Sequence, residues 1–320
     1  MEGQKQNKKV AVLVGCNYPN TSNELHGCIN DVLAMKETLV KRFEFDPNNI
    51  ELLTDAPHSS SLPTGANIKQ ALANMVDGAE AGDALFFHYS GHGTRIPSKK
   101  RGHPFRHEEA IVPCDFNLIT DLDFRQLVNK LPKGAGMTIL SDSCHSGGLI
   151  DKEKEQIGPS SLLAENSRLR LGTPKTIPFE SILQHLSSLS KVNTTDMGSH
   201  LVELFGSEAS LRFRLPQVDL DCLLEPLRPD EGILLSGCQA DETSADMSPN
   251  EGGGRAYGAF SNAVQTVLKE HPGKKLSNSE VVIMARKILQ SQGFEQHPCL
   301  YCSDENSAAA FLCQQQSFLT

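Results

Sequence analysis

Apolar residues along this chain gather into four short runs, each closed by small or polar residues: Val10 to Asn17, Ala84 to Gly93, Met137 to Gly148 and Gly232 to Ala240. Unbroken apolar runs of this length, bounded by glycine and serine, are the pattern of strands buried on both faces. After the first run, Leu25, Cys28, Val32, Met35 and Leu39 recur at helical spacing, and Gly65 to Ala81 is rich in helix formers. Ala259 to Leu268 and Ser279 to Leu289 repeat the helical pattern beyond the last run. Buried strands alternating with helices predict an α/β fold, a mainly parallel sheet with helices on both faces. Ligands of such sheets gather outside the carboxyl ends of the strands. The residues that close the runs, His92 and Cys144 among them, are therefore expected to emerge along one crest.

Between Asp151 and Arg228 the character changes to charged, Ser-rich and Pro-containing sequence with no strand signal, the pattern of an exposed linker. Two amphipathic stretches inside it, Phe179 to Leu189 and Met197 to Phe205, predict helices that pack back on the body. The chain thus divides into a first segment (residues 1–150), a linker or insertion (151–228) and a second segment (229–320) that completes the same sheet.

Composition narrows the function. The chain has 320 residues, 38% hydrophobic and 22% charged, an ordinary globular balance, and no apolar run approaches the roughly 18 residues of a membrane span. A net charge of −9 argues against nucleic acid, which binds through clustered Lys and Arg. The opening MEGQKQNKKV lacks the apolar core of a secretory signal, and nine scattered cysteines suit a reducing compartment. A cytoplasmic or nuclear location is expected.

Cys144 lies in SDSCHSGG, and three roles compete for it: nucleophile, metal ligand or buried thiol. A free thiol is mostly protonated at neutral pH and needs a base within hydrogen-bond reach. His145 is adjacent in sequence, but neighbouring side chains of an extended segment point to opposite faces. His92, in SGHGTR, is flanked by glycines that let a substrate approach. For metal, His88 and His92 stand four apart, as do His103 and His107, and His297, Cys299 and Cys302 cluster near the end. A pair four apart faces one metal on a helix, whereas His88 lies in a strand-like run; the single C-x-x-C has no second pair, so Cys299 and Cys302 read as structural thiols. A serine-hydrolase G-x-S-x-G is absent. The polarity around Cys144 favours a nucleophile.

The segments FFHYSGHGTR and ILSDSCHSGG, with VLVGCNYPNTSNELHGCINDV before them and LLSGCQADETSAD after, resemble the metacaspases, caspase-like cysteine peptidases, of the type II or plant kind. The resemblance implies a dyad of His92 and Cys144, and an oxyanion hole formed by the N–H groups of Gly93 and Cys144. It also implies a specificity (S1) pocket of Cys28, Asp31, Ser90 and Asp142. Protein and peptide substrates would be cut after Arg or Lys, and protein inhibitors are a further class of partner. Two neighbouring carboxylates repel each other and a substrate cation relieves this, which agrees with a basic preference; the alternative for Asp31 is a helix cap or solvent-facing position. The resemblance further implies a zymogen, active as a monomer of two associated fragments, that cuts itself in the linker and serves proteolytic signalling or programmed cell death.

Among Lys152, Lys154, Arg168, Arg170 and Lys175, the Lys175–Thr176 bond is the expected cut, because the following IPF resembles the family's processing region. Many relatives need calcium held by acidic clusters. Here Leu122 interrupts the acidic run between Asp121 and Asp123, leaving Glu108, Glu109 and Asp115 as further oxygen donors, so no cofactor and weak or absent calcium dependence are expected. A catalytically silent caspase-like scaffold and a zinc hydrolase are the competing functions.

Overall fold

The structure is a computed structural model that describes residues 7–97, 107–144, 149, 154–158, 172–215, 232–239 and 242–312. His145, His103, Lys152, Arg168 and Arg170 lie outside the described residues. In chain order the elements are β1 (Lys9–Gly15), α1 (Cys28–Phe43), β2 (Ile50–Thr54), α2 (Gly65–Asp77), β3 (Ala84–Ser90), β4 (Gly93–Pro97), β5 (His107–Ile111), β6 (Ile119–Thr120), α3 (Asp121–Asn129) and β7 (Gly136–Asp142). There follow β8 (Glu155–Ile157), β9 (Thr173–Pro174), α4 (Phe179–Leu189), α5 (Met197–Phe205) and α6 (Leu211–Arg214). The last group is β10 (Gly232–Ser236), β11 (Ala245–Met247), β12 (Tyr257–Gly258), α7 (Ala259–Glu270), α8 (Asn278–Ser291), β13 (Cys299–Tyr301) and α9 (Asp304–Ala308).

Seven strands form the central sheet in the order β2-β1-β3-β7-β10-β13-β8. The first five are mutually parallel; β13 pairs antiparallel with β10, and β8 pairs antiparallel with β13. Alternation along the strands assigns the two faces. Ala11, Leu13, Phe86 and Leu140 pack with α1, α7 and α8, whereas Val12, Val14, Phe87 and Ile139 pack with α2 and α3. Burial of both faces is why these strands read as unbroken apolar runs; each such side chain contributes about 1.5–3 kcal/mol of transfer free energy. Among the described residues no helix is long and apolar enough to cross a membrane.

Two local expectations are corrected. The Ala84 to Gly93 run is not one strand: β3 ends at Ser90 and Gly93 opens β4, with Gly91 and His92 forming the corner. The linker is not strandless or exposed throughout. Glu155–Ile157 forms the sheet edge beside β13, Thr173–Pro174 pairs with β11, and Lys175 is fully buried. Edge strands are short and carry charge, which makes them look like loops. The acidic TDLD segment begins helix α3, where Thr120 and Asp123 form a capping box.

The expected amphipathic helices are α4 and α5. With β4 and β5 they close a smaller core in which Ile177, Ile182, Leu186 and Leu201 meet Ile96, Val112 and Leu118.

Candidate active site

The paired strands β3 and β7 end side by side, Ser90 opposite Asp142, so the chain just beyond each strand enters the same space. Gly93 and Cys144 meet there closely. A side chain at Gly93 would collide with the Cys144 carbonyl.

Lys175 from the linker occupies this space. Its carbonyl oxygen accepts from Gly93 N at 3.0 Å and Cys144 N at 3.2 Å. Its own N–H donates to Ser244 O at 2.9 Å, and Ile177 N donates to Gly93 O at 3.1 Å. Upstream, β9 runs antiparallel to β11, Pro174 opposite Ala245 and Thr173 opposite Asp246. The segment therefore lies across the strand ends as an added strand, a mode of peptide recognition built from main-chain hydrogen bonds.

The Lys175 side chain is 0% exposed. Its ammonium donates to Ser90 Oγ at 2.9 Å and the Asp142 carbonyl at 3.3 Å, and it lies 3.2 Å from Asp142 Oδ2 and 3.6 Å from Asp31 Oδ2. Ser90 Oγ in turn donates to Asp31 Oδ2 at 2.7 Å. Cys28 lines the same pocket, with burial and the Asp246 and Asp31 charges raising its thiol against the pull of the Lys175 ammonium. All four residues expected to form a pocket thus converge on one cation, and Asp31 is buried rather than a cap or solvent-facing.

The two carboxylates differ. Burial pushes Asp31 up to about 7, opposed by Lys175. Asp142 stays below the usual carboxylate range: burial opposes ionisation, but the Lys175 ammonium and donors from Ser244 and Ser261 outweigh it. Burial disfavours the Lys175 ammonium, yet Asp142, Cys28 and Asp31 together raise it above its ordinary value. The pocket holds a charged lysine against one firmly ionised carboxylate.

At the corner, His92 Nε2 bonds to Asn23 O at 2.8 Å. A carbonyl only accepts, so Nε2 carries the proton and Nδ1 is left as a lone pair; that atom is buried without a hydrogen-bond partner. Burial pushes His92 down to about 4, opposed by the Asn23 backbone. Tyr18 packs its ring 4.8 Å from the imidazole, and its hydroxyl accepts from His92 N at 3.0 Å. Cys144 Sγ accepts from Ser244 N at 3.0 Å.

Several participants carry no sequence signature. Asn23 acts through its carbonyl, and Ser244 through its backbone and through its hydroxyl, which donates to Asp142 Oδ1. Gly258 floors the pocket: its N–H donates to both Asp31 oxygens at 2.9 Å, and a Cβ there would overlap Lys175 Nζ, Asp142 Oδ2 and Asp31 Oδ2. Asp246 reaches from β11 to the start of α1, accepting from His26 N at 2.7 Å and Gly27 N at 3.0 Å. A remote carboxylate thereby caps the helix that carries Cys28 and Asp31.

Among the described residues, the other candidate metal ligands have partners of their own. His88 bonds Ser261 and His92 bonds Asn23, while His297 pairs with Glu242. Cys299 and Cys302 are buried. Asp123 accepts from Thr120 N, Asp115 from Gly65 N, and Glu108 pairs with Arg212. Among the described residues no group of three His, Cys, Asp or Glu stands together as a metal site.

Comparison with known proteins gives a consistent likeness. Residues 8–308 match the Peptidase_C14 family, described as the caspase domain. The chain is 63% identical to Metacaspase-9 of Arabidopsis thaliana over 319 residues, covering 96% of this chain and 97% of that one. It is 39% identical to Metacaspase-6 of the same plant, covering 95% and 100%. Among solved structures, protein GSU0716 from Geobacter sulfurreducens superposes with a TM-score of 0.61 at 17% identity, covering 96% and 99%, a likeness of fold alone.

Proposed function

This chain belongs to the caspase-domain family and, within it, to the metacaspases, which are cysteine peptidases; from that premise we propose that it is an endopeptidase that cuts after Lys or Arg and activates itself by cutting Lys175–Thr176. The observation that carries this reading is the position of Lys175. Its carbonyl receives two converging N–H groups while its ammonium fills a pocket of carboxylates.

In the proposed reaction His92 Nδ1 takes the thiol proton as Cys144 sulfur attacks the Lys175 carbonyl carbon. Negative charge developing on the oxygen is met by Gly93 and Cys144 N–H, where one such donor is worth about 3 kcal/mol. The bond to Thr176 N then breaks, the imidazolium protonates the departing amine, and a thioester remains. Water, deprotonated by His92, hydrolyses it and frees the Lys175 carboxylate. The same pocket then takes a basic residue of another protein.

The test is turnover of a fluorogenic peptide ending in Arg, with Cys144→Ala as control. Turnover lost in the variant supports the peptidase. Binding of basic peptides without turnover by the unmodified protein would favour a silent scaffold instead.

A further inference from the structure

His88 is buried on β3 and takes no part in the proposed reaction. It lies on the same face of the strand as Ser90 and, through the register of β3 with β7, of Asp142. Its Nε2 is 3.1 Å from Ser261 Oγ on α7. Ser261 also holds Asp142: its N–H donates to Oδ2 at 2.8 Å, and its side chain helps hold that carboxylate below its usual range. On the other oxygen, Ser244 Oγ donates to Oδ1 at 2.5 Å.

A serine has one hydroxyl hydrogen; turned toward the carboxylate, it leaves Ser261 Oγ to accept from His88, an arrangement in which Nε2 of His88 carries the proton and Nδ1 does not. Burial holds His88 neutral, pushed down to about 3. A neutral donor in this place supports the carboxylate without adding a positive charge that would compete with the lysine or arginine of a substrate.

We propose that His88 and Ser261 are positioning residues, a one-way hydrogen-bond relay that clamps Asp142 toward the pocket and so sets its selectivity for a cationic P1 side chain. The proposal rests on the peptidase reading above. Asp142 loses free rotation because each oxygen has its own donor, and the oxygen facing the P1 cation is the one the relay holds. The contacts predict a specific asymmetry: loss of the relay weakens recognition of charge and leaves the nucleophile as it was.

The test uses the fully self-processed protein and two peptides that differ only in P1, arginine against its neutral isostere citrulline. It is run on the parent, Ser261→Ala, His88→Phe and His88→Gln, and the alkylation rate of Cys144 by iodoacetamide is recorded for each. Ser261→Ala and His88→Phe are expected to lower kcat/KM for the arginine peptide roughly tenfold, the scale of one hydrogen bond to a charged group. The loss falls in KM, while citrulline turnover and alkylation stay within about twofold, changes too small to reflect a lost interaction. His88→Gln, whose amide can donate from the place of Nε2, is expected to recover most of the loss. Ser261→Ala keeps the test open if His88→Phe fails to fold. An unchanged arginine-to-citrulline ratio in Ser261→Ala overturns the relay, as does equal loss on both peptides. No turnover of the arginine peptide by the parent overturns the peptidase reading itself.

Discussion

The Lys175 ammonium lies 3.2 Å from Asp142 Oδ2 in a pocket where neither side chain is exposed. An ion pair removed from water is strongly destabilising to break from one side, on the scale of about 3–5 kcal/mol, because the remaining charge stays buried. In a Cys144→Ala background, which keeps the chain uncut, Lys175→Met is therefore expected to lower the melting temperature by several degrees. Asp31 is already raised to about 7, so it is protonated in mildly acidic buffer, and the penalty should shrink well below pH 7. Differential scanning calorimetry in both buffers checks this. An equal penalty in both would contradict the assigned asymmetry.

Gly258→Ala is predicted to be among the most damaging single substitutions for a basic substrate. Its Cβ would occupy the site of the lysine ammonium between the two carboxylates. Self-cleavage and turnover of an arginine peptide should fall at least roughly 100-fold, with the far-ultraviolet circular dichroism spectrum unchanged. Efficient cleavage by this variant would mean that P1 binds elsewhere.

The proposed base must be neutral to accept a proton. Burial lowers the His92 pKa to about 4, so the imidazole remains neutral from neutral pH down to that value. Self-cleavage should persist well below the ordinary histidine midpoint of about 6.5 and fail only near pH 4. A reversible block on Cys144, released at a series of pH values, allows the first-order loss of precursor to be followed. A midpoint near that of free histidine would place the base in a solvated site.

Calcium is predicted to be dispensable. Asp123 is committed to the start of α3, Asp115 to Gly65 N and Glu108 to Arg212. Assays with a strong chelator should match those with added calcium, and complete loss of activity in the chelator would contradict the prediction.

Much of this was legible in residues, and the remainder has physical reasons for being hidden. The apolar runs mark β1, β3, β7 and β10 because both sheet faces are covered, and α4 and α5 follow from amphipathic spacing. His92 and Cys144 stand out through their glycine-rich, polar settings at run ends. The burial of Lys175 was not visible: a lysine in sequence reads as a surface residue, and what buries it is a pocket built from β3, β7, α1 and β12. Asn23 and Gly258 were missed because a backbone N–H or carbonyl leaves no mark in sequence, and Ser244 because a lone serine 102 residues from Asp142 gives no sign that its hydroxyl reaches that carboxylate. The helix start at Thr120 did leave one, the T-x-x-D pattern of a capping box, overshadowed by the acidic run.

The most direct measurement is the new N-terminus made by purified protein, read by mass spectrometry across a dilution series. The account predicts a fragment beginning at Thr176, formed at a rate independent of concentration, absent in Cys144→Ala and lost in Lys175→Met. A first cut elsewhere, at an undiminished rate in Lys175→Met, would contradict it.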